Sequence, residues 1–213
     1  MALLKKLWMI IPLLLSSCAV TRGYVAIDYT APPHKTEILE HASDIQVHVH
    51  VVDNRQKKEV VGHKKNGYGM RMAPILTTNS VEVLVSKAIK TELANRGFVL
   101  VEGEGFLVDV EVKKFYNKFK PGLFTVDGVA EVVLIAKVLT PERKELFSEE
   151  ILGREVEWPV FIMGGNNAKV ALERALVTAV SKIITNESFL AALLNNQQIV
   201  PADSTQSSTG FNH

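Results

Sequence analysis

Hydrophobic and polar positions alternate with a period of two from Asp44 to Asp53, with Ile45, Val47, Val49 and Val51 on one face and Gln46, His48 and His50 on the other. That period marks a strand with one buried face. The Lys- and Gly-rich stretch that follows, Gln56 to Met72, reads as a loop, with a short strand at Ile75–Thr77. The period then changes. Val81, Leu84, Val85, Ala88, Ile89 and Leu93 recur at helical spacing, Asn79 or Ser80 can cap the start, and Gly97 ends the run after Arg96. Alternation returns at Phe106, Val108, Val110 and Val112, then at Ala130, Val132, Leu134, Ala136 and Val138, and a last strand is read over Lys144–Trp158. The turns between these three strands are short, so they should be antiparallel neighbours. A second helix opens near Asn167, with a wide apolar stripe from Ala168 through Leu172, Leu176 and Val180 to Ile184, and Asn186 breaks it before a final turn at Glu187–Leu194. The expected fold class is α+β: two layers, an antiparallel sheet of four to five strands with two long helices on one face.

The two ends of the chain fit neither period. Residues 1–17 carry Lys5 and Lys6 and then nine residues, Leu7 to Leu15, that are apolar throughout apart from Pro12. Nine helical residues rise about 14 Å, roughly half a bilayer's hydrocarbon core, so the segment reads as a secretory signal and not a spanning helix. Residues 18–40, with Pro32 and Pro33, read as a tether with a short edge strand near Tyr24–Tyr29. Residues 197–213 are rich in Ser, Thr, Gln and Asn and read as a disordered tail, leaving residues 41–196 as one domain.

Composition narrows the function. The chain has 213 residues, 24 Lys+Arg against 23 Asp+Glu, and a formal charge of +1. Loss of residues 1–17 removes two lysines and turns the balance to −1, which gives nucleic acid no basic surface to bind. The single cysteine, Cys18, excludes an internal disulfide and a cysteine zinc site. It stands directly behind Leu15-Ser16-Ser17, and this run resembles the bacterial lipobox. The resemblance implies cleavage between Ser17 and Cys18, diacylglycerol on the thiol and a further acyl chain on the new amine. Acyl chains contribute about 0.8 kcal/mol per buried CH₂, so such an anchor is effectively permanent. By resemblance to enterobacterial lipoproteins, in which an Asp at this position holds the protein in the inner membrane, Ala19 implies sorting to the outer one.

Candidate chemistry is sparse. His48 and His50 share a strand face but lack a third ligand at local spacing, so no metal site and no cofactor are expected. Asp53-Asn54-Arg55 can orient a substrate, and is also ordinary turn chemistry. Glu102 and Glu104 sit in a Gly-rich connection with nothing to raise a carboxyl pKa. Met163-Gly164-Gly165-Asn166-Asn167 can present amides to an anion or simply start a helix. No nucleophile elbow, zinc-protease or phosphate-loop motif is present, and no enzyme is expected. The most pointed segment is Lys113, Lys114, Phe115, Tyr116, Asn117, Lys118, Phe119 and Lys120, placed at a hairpin end. Cations beside amphipathic rings suit an anionic amphiphile or a membrane surface, so these lysines and aromatics are the candidate ligand or partner surface. The competing reading is a hairpin tip whose lysine stems cover the rings.

Taken together, the lipobox, Val51–Arg55, Leu93–Phe98, the Val108–Tyr116 and Val126–Ala136 strands and the stretch from Val156 to Leu193 resemble the YajG-type family of bacterial lipoproteins. The chain departs from it in Gln56–Met72 and in the Ser/Thr tail. The element order is also similar to the lipopolysaccharide-assembly lipoprotein and to transporter-auxiliary lipoproteins, a likeness of fold alone. The resemblance implies location and fold and brings no activity. The expectation is therefore a non-catalytic outer-membrane lipoprotein facing the periplasm that binds or assembles an envelope protein. The alternative is a carrier or sensor of lipopolysaccharide or a cell-wall fragment, working through Lys113–Lys120 and the Lys57–Lys65 loop. A lysine-mouthed pocket between helices and sheet would favour the carrier, and an exposed edge or apolar patch the protein partner.

Overall fold

The computed structural model describes residues 21–33, 37–66, 68–121, 126–160 and 164–194. The signal segment 1–17, the lipidation and cleavage residues Cys18 and Ser17, Met163 and the tail 197–213 lie outside the described residues.

Eight strands form one mixed sheet: β1 (Gly23–Val25), β2 (Gln46–Asp53), β3 (Val60–Lys65), β4 (Arg71–Thr77), β5 (Val99–Leu100), β6 (Phe106–Pro121), β7 (Val126–Leu139) and β8 (Glu145–Val160). Helices α1 (Val81–Asn95), α2 (Gly165–Ile184) and α3 (Glu187–Leu194) complete the fold. This corrects the expected four-to-five-strand antiparallel sheet with two long helices. β6–β7–β8 are antiparallel as their short turns require, but β2 runs parallel to both β6 and β5, and β1 parallel to β4. The chain leaves β2, makes the β3–β4 hairpin and α1, and returns beside β2. A parallel neighbour requires a long crossover of this kind.

The hairpin is the second correction. Within Gln56–Met72, where the Lys/Gly-rich composition predicts a loop, Val60–Lys65 pairs with Arg71–Thr77. Its strand signal is broken by register shifts at Val60/Gly62 and His63/Lys65, and Gly62 is a place where a Cβ would lie 3.1 Å from the Asn117 carbonyl oxygen. The sheet also starts earlier than residue 41. Val25, Ile27 and Tyr29, in the stretch read as tether, alternate into the core, and the Tyr29 hydroxyl donates to Glu92 of α1 at 2.5 Å. Burial, and then the Glu92 carboxylate, push the Tyr29 pKa upward.

Both long helices lie on one face. Ser80 caps α1 by accepting from the Val83 amide at 3.3 Å, and all six of the apolar α1 residues named above are buried. Gly97, at φ 98°, ends it with the Phe98 amide reaching the Leu93 carbonyl, a conformation only glycine adopts freely. α2 buries its stripe from Ala168 to Ile184 against β7 and β8, where each large side chain such as Leu172 or Leu176 contributes about 2 kcal/mol. Asn186 caps α3 through the Phe189 amide at 3.1 Å, and Phe189 meets Phe147 edge-on at 5.7 Å.

β6 organises the sheet. One edge pairs with β7 along its length, while the other meets β2 over Phe106–Val112 and then β3 at Asn117. The sheet therefore forks. At the fork a register shift between Val112 and Lys114 sends two consecutive residues outward, so Val108, Val110 and Val112 point to the core before it and Phe115, Asn117 and Phe119 after it. Asn117 is fully buried there with no hydrogen-bond partner for its side chain.

Candidate functional site

β2 ends in a buried ion pair. Arg55 donates from Nε to Asp53 Oδ1 at 2.9 Å, from Nη2 to Oδ2 at 2.8 Å and from Nη1 to the Phe115 carbonyl at 3.1 Å, and reaches the Lys58 carbonyl as well. Its guanidinium carbon stands 5.8 Å from the centre of the Phe115 ring, and the Arg55 and Asp53 side chains are 8% and 3% exposed. The guanidinium is committed to Asp53 and backbone carbonyls, so Asp53-Asn54-Arg55 fastens β2 to β6 and is not arranged to hold a substrate.

The other candidates are similarly engaged. His50 Nδ1 lies 2.7 Å from Asp109 across the β2–β6 pair, and His48 ties the connection after β5 through the Gly103 amide at 3.2 Å. Lys90 binds Glu102 at 2.9 Å and holds its carboxyl below the usual range, whereas sequence spacing had paired Glu102 with Glu104. Among the described residues no group of three or more His, Cys, Asp or Glu is placed to hold a metal ion.

The Lys113–Lys120 segment is the second half of β6, paired with β7 and running to one residue before the strand ends at the β6–β7 turn. Phe115 and Phe119 are fully buried core residues and offer no surface. Lys113, Lys114, Lys118 and Lys120 are exposed on the outer side, with Tyr116 half-buried among them. Lys113 pairs with Glu111 at 2.7 Å and Lys114 with Glu131.

Two ends of the forked sheet, β8 and the β2–β5 side, differ. Along β8, Leu152, Val156 and Trp158 form an exposed outer row, but the edge itself is tended by α2: Lys182 Nζ binds the Leu152 carbonyl at 2.8 Å, Thr178 binds Glu155 and Arg174 binds Glu157. Lysines on edge carbonyls discourage further strand pairing. Along β2, among the described residues, the cover runs out. The Val99 and Val101 amides bind the Ile45 and Val47 carbonyls, and β5 then ends. Backbone alternation points the amides and carbonyls of Val49 and Val51 the same way, past the end of β5. The next amide on that side, Asp53, is met by Glu82 of α1 at 3.4 Å. Between this strand edge and α1 runs a groove of about 740 Å³, with Val83, Ser86, Lys87 and Thr91 along its helical wall and Leu100 at its end. Val83, 66% exposed, is apolar yet stands off the buried stripe of α1. That mismatch was the one sign of the groove visible in the sequence.

A family model described as uncharacterized lipoprotein matches residues 32–194. The chain belongs to this YajG-type family of lipoproteins. Membership makes it a membrane-anchored protein of the cell envelope, held by a lipid. No single described helix is long and apolar enough to cross a membrane. Among solved structures, protein XCC0632 from Xanthomonas campestris is similar at a TM-score of 0.55 and 14% identity, over 84% of this chain and 98% of that one. A minor lipoprotein from Acinetobacter baumannii aligns at a TM-score of 0.38 and 5% identity, over 66% and 93%. Lipoprotein GNA1162 from Neisseria meningitidis aligns at 0.34 and 17%, over 67% and 99%. The first of these likenesses is one of fold. A search of the curated proteins finds no match.

Proposed function

We propose that the chain is a non-catalytic lipoprotein of the outer membrane, facing the periplasm from an acylated Cys18, and that it binds an envelope protein by accepting an extended segment along the free edge of β2. The observation that carries this reading is the contrast between the two sheet edges: β8 has its carbonyl engaged by Lys182, while Val49 and Val51 face an open groove. An unpaired strand edge is a template for one more strand, whose backbone supplies affinity while alternate side chains supply selectivity. Val83 and Leu100 give such a segment apolar contacts, and Lys87 a charged one. The commitment of Arg55, Glu102 and His50 to structural partners supports a binding role over a catalytic one.

Filling the groove tests the reading. Ser86→Trp with Val83→Asp is expected to abolish capture of the partner by in-cell crosslinking and leave the melting temperature within about 2 °C, since both positions face away from the core. Undiminished capture would remove the groove from the account. The anchor has its own test. Cys18→Ala is expected to accumulate as an uncleaved, unacylated precursor; normal processing and recovery with outer membranes would refute lipidation at Cys18.

A further inference from the structure

Where β3 parts from β2, the outer side of β6 carries a second groove, of about 310 Å³. Lys57 of the β2–β3 connection, Arg71 at the start of β4, and Lys113, Lys114 and Tyr116 of β6 line it. Arg55 lines it too, and of the five cations three are neutralised, Arg55 by Asp53, Lys113 by Glu111 and Lys114 by Glu131. Lys57 and Arg71 have no carboxylate partner among the described residues. Arg71 Nη2 instead lies 2.8 Å from His63 Nε2 and 3.0 Å from Nδ1, and Nδ1 lies 2.9 Å from the Tyr116 hydroxyl. A guanidinium has no lone pair to offer, so the ring accepts from Arg71 and is neutral. Burial, then Arg71 and Lys57, hold the His63 pKa below its ordinary value, which fits. In the tautomer that carries its proton on Nδ1, Nε2 accepts from Arg71 and Nδ1 donates to the Tyr116 oxygen. The tyrosine's own O–H is thereby left to donate into the groove.

We propose that this groove binds a phosphoryl group, held by Arg71 and Lys57 as charged donors and by the Tyr116 hydroxyl as a neutral one. The unbalanced charge of two matches a phosphate monoester, and the planar fork of arginine suits its oxygens. The volume is at the low end for ligand pockets and fits a head group and not a whole amphiphile. The phosphoryl group belongs to a lipid head group or to a soluble ester. The site shares no residue with the β2–α1 groove, so its failure would leave the protein-partner reading standing.

The test follows the His63 ring by NMR pH titration in the acylated protein held in phosphatidylcholine nanodiscs. A bound phosphoryl dianion is expected to raise the His63 pKa, and each cation removed should weaken binding roughly tenfold. A rise on adding inorganic phosphate at constant ionic strength, lost in Lys57→Gln/Arg71→Gln, establishes the site with a soluble ligand. A rise only in nanodiscs carrying phosphatidic acid, lost in the same variant, establishes it with a lipid source. No rise in either setting, or an undiminished rise in the variant, overturns the proposal. Should Arg71→Gln lower the melting temperature, Lys57→Gln alone carries the comparison.

Discussion

Arg55→Ala is expected to cost about 3–5 kcal/mol of stability, because it strands a carboxylate that the fold has removed from water. Asp53 is 3% exposed, and Arg55 meets both of its oxygens. The same substitution frees the Phe115 and Lys58 carbonyls and uncovers the Phe115 ring. For a domain of this size the melting temperature should fall by roughly 10–15 °C. Arg55→Lys should recover little, since a single ammonium cannot meet two carboxylate oxygens and a carbonyl at once. Thermal unfolding of the purified lipoprotein in detergent measures all of this. A loss below about 1 kcal/mol in Arg55→Ala would show that the pair behaves as an ordinary surface salt bridge.

Gly153→Ala should be nearly as damaging, though the change is one methyl group. Gly153 lies on the inner face of β8 where α2 crosses it, and a Cβ there would run into the Ala175 carbonyl oxygen and come within 2.7 Å of the Ala179 backbone nitrogen and Cβ. Two of those three atoms are backbone, so relief requires α2 to move and not a side chain to turn. Overpacking of this kind costs about 3 kcal/mol, or roughly 6–12 °C in melting temperature. α2 also carries Lys182, so the Leu152 carbonyl should lose its cover as the helix lifts. Gly153→Ala is therefore expected to self-associate more than wild type when both are compared by sedimentation at matched concentration. A stable, unaltered Gly153→Ala would mean that the helix approaches the sheet less closely than the structure places it.

What could be read in advance follows the physics of each element. The stripes of α1 and α2 and the inner face of β7 were fully legible, because each element buries one continuous face and its period survives in the sequence. β3 was not, because two register shifts and Gly62 break its alternation. The Lys113–Lys120 segment misled for a related reason. One extra residue at the Val112/Lys114 shift reverses which side chains face inward, so Phe115 and Phe119 join the core while the lysines between them stay outside. The antiparallel order of β6, β7 and β8 followed from their short turns, but the partners of β2 were the least accessible of all. The parallel return beside β2 depends on a crossover through α1, and local spacing carries no record of it. Of the candidate surface, Lys113, Lys114 and Tyr116 do line a groove, but Lys57 and Arg71 reach it only through a hairpin that the sequence hides.

The central claim is that a partner docks along β2 and not along β8. Photo-crosslinking in cells separates the two, with the reactive side chain placed at Val83 in the groove or at Leu152 on β8, each exposed and each in a folded protein. The account predicts one discrete envelope-protein adduct from Val83, lost when Ser86 is also changed to Trp, and none from Leu152. An adduct from Leu152 with none from Val83 would contradict it.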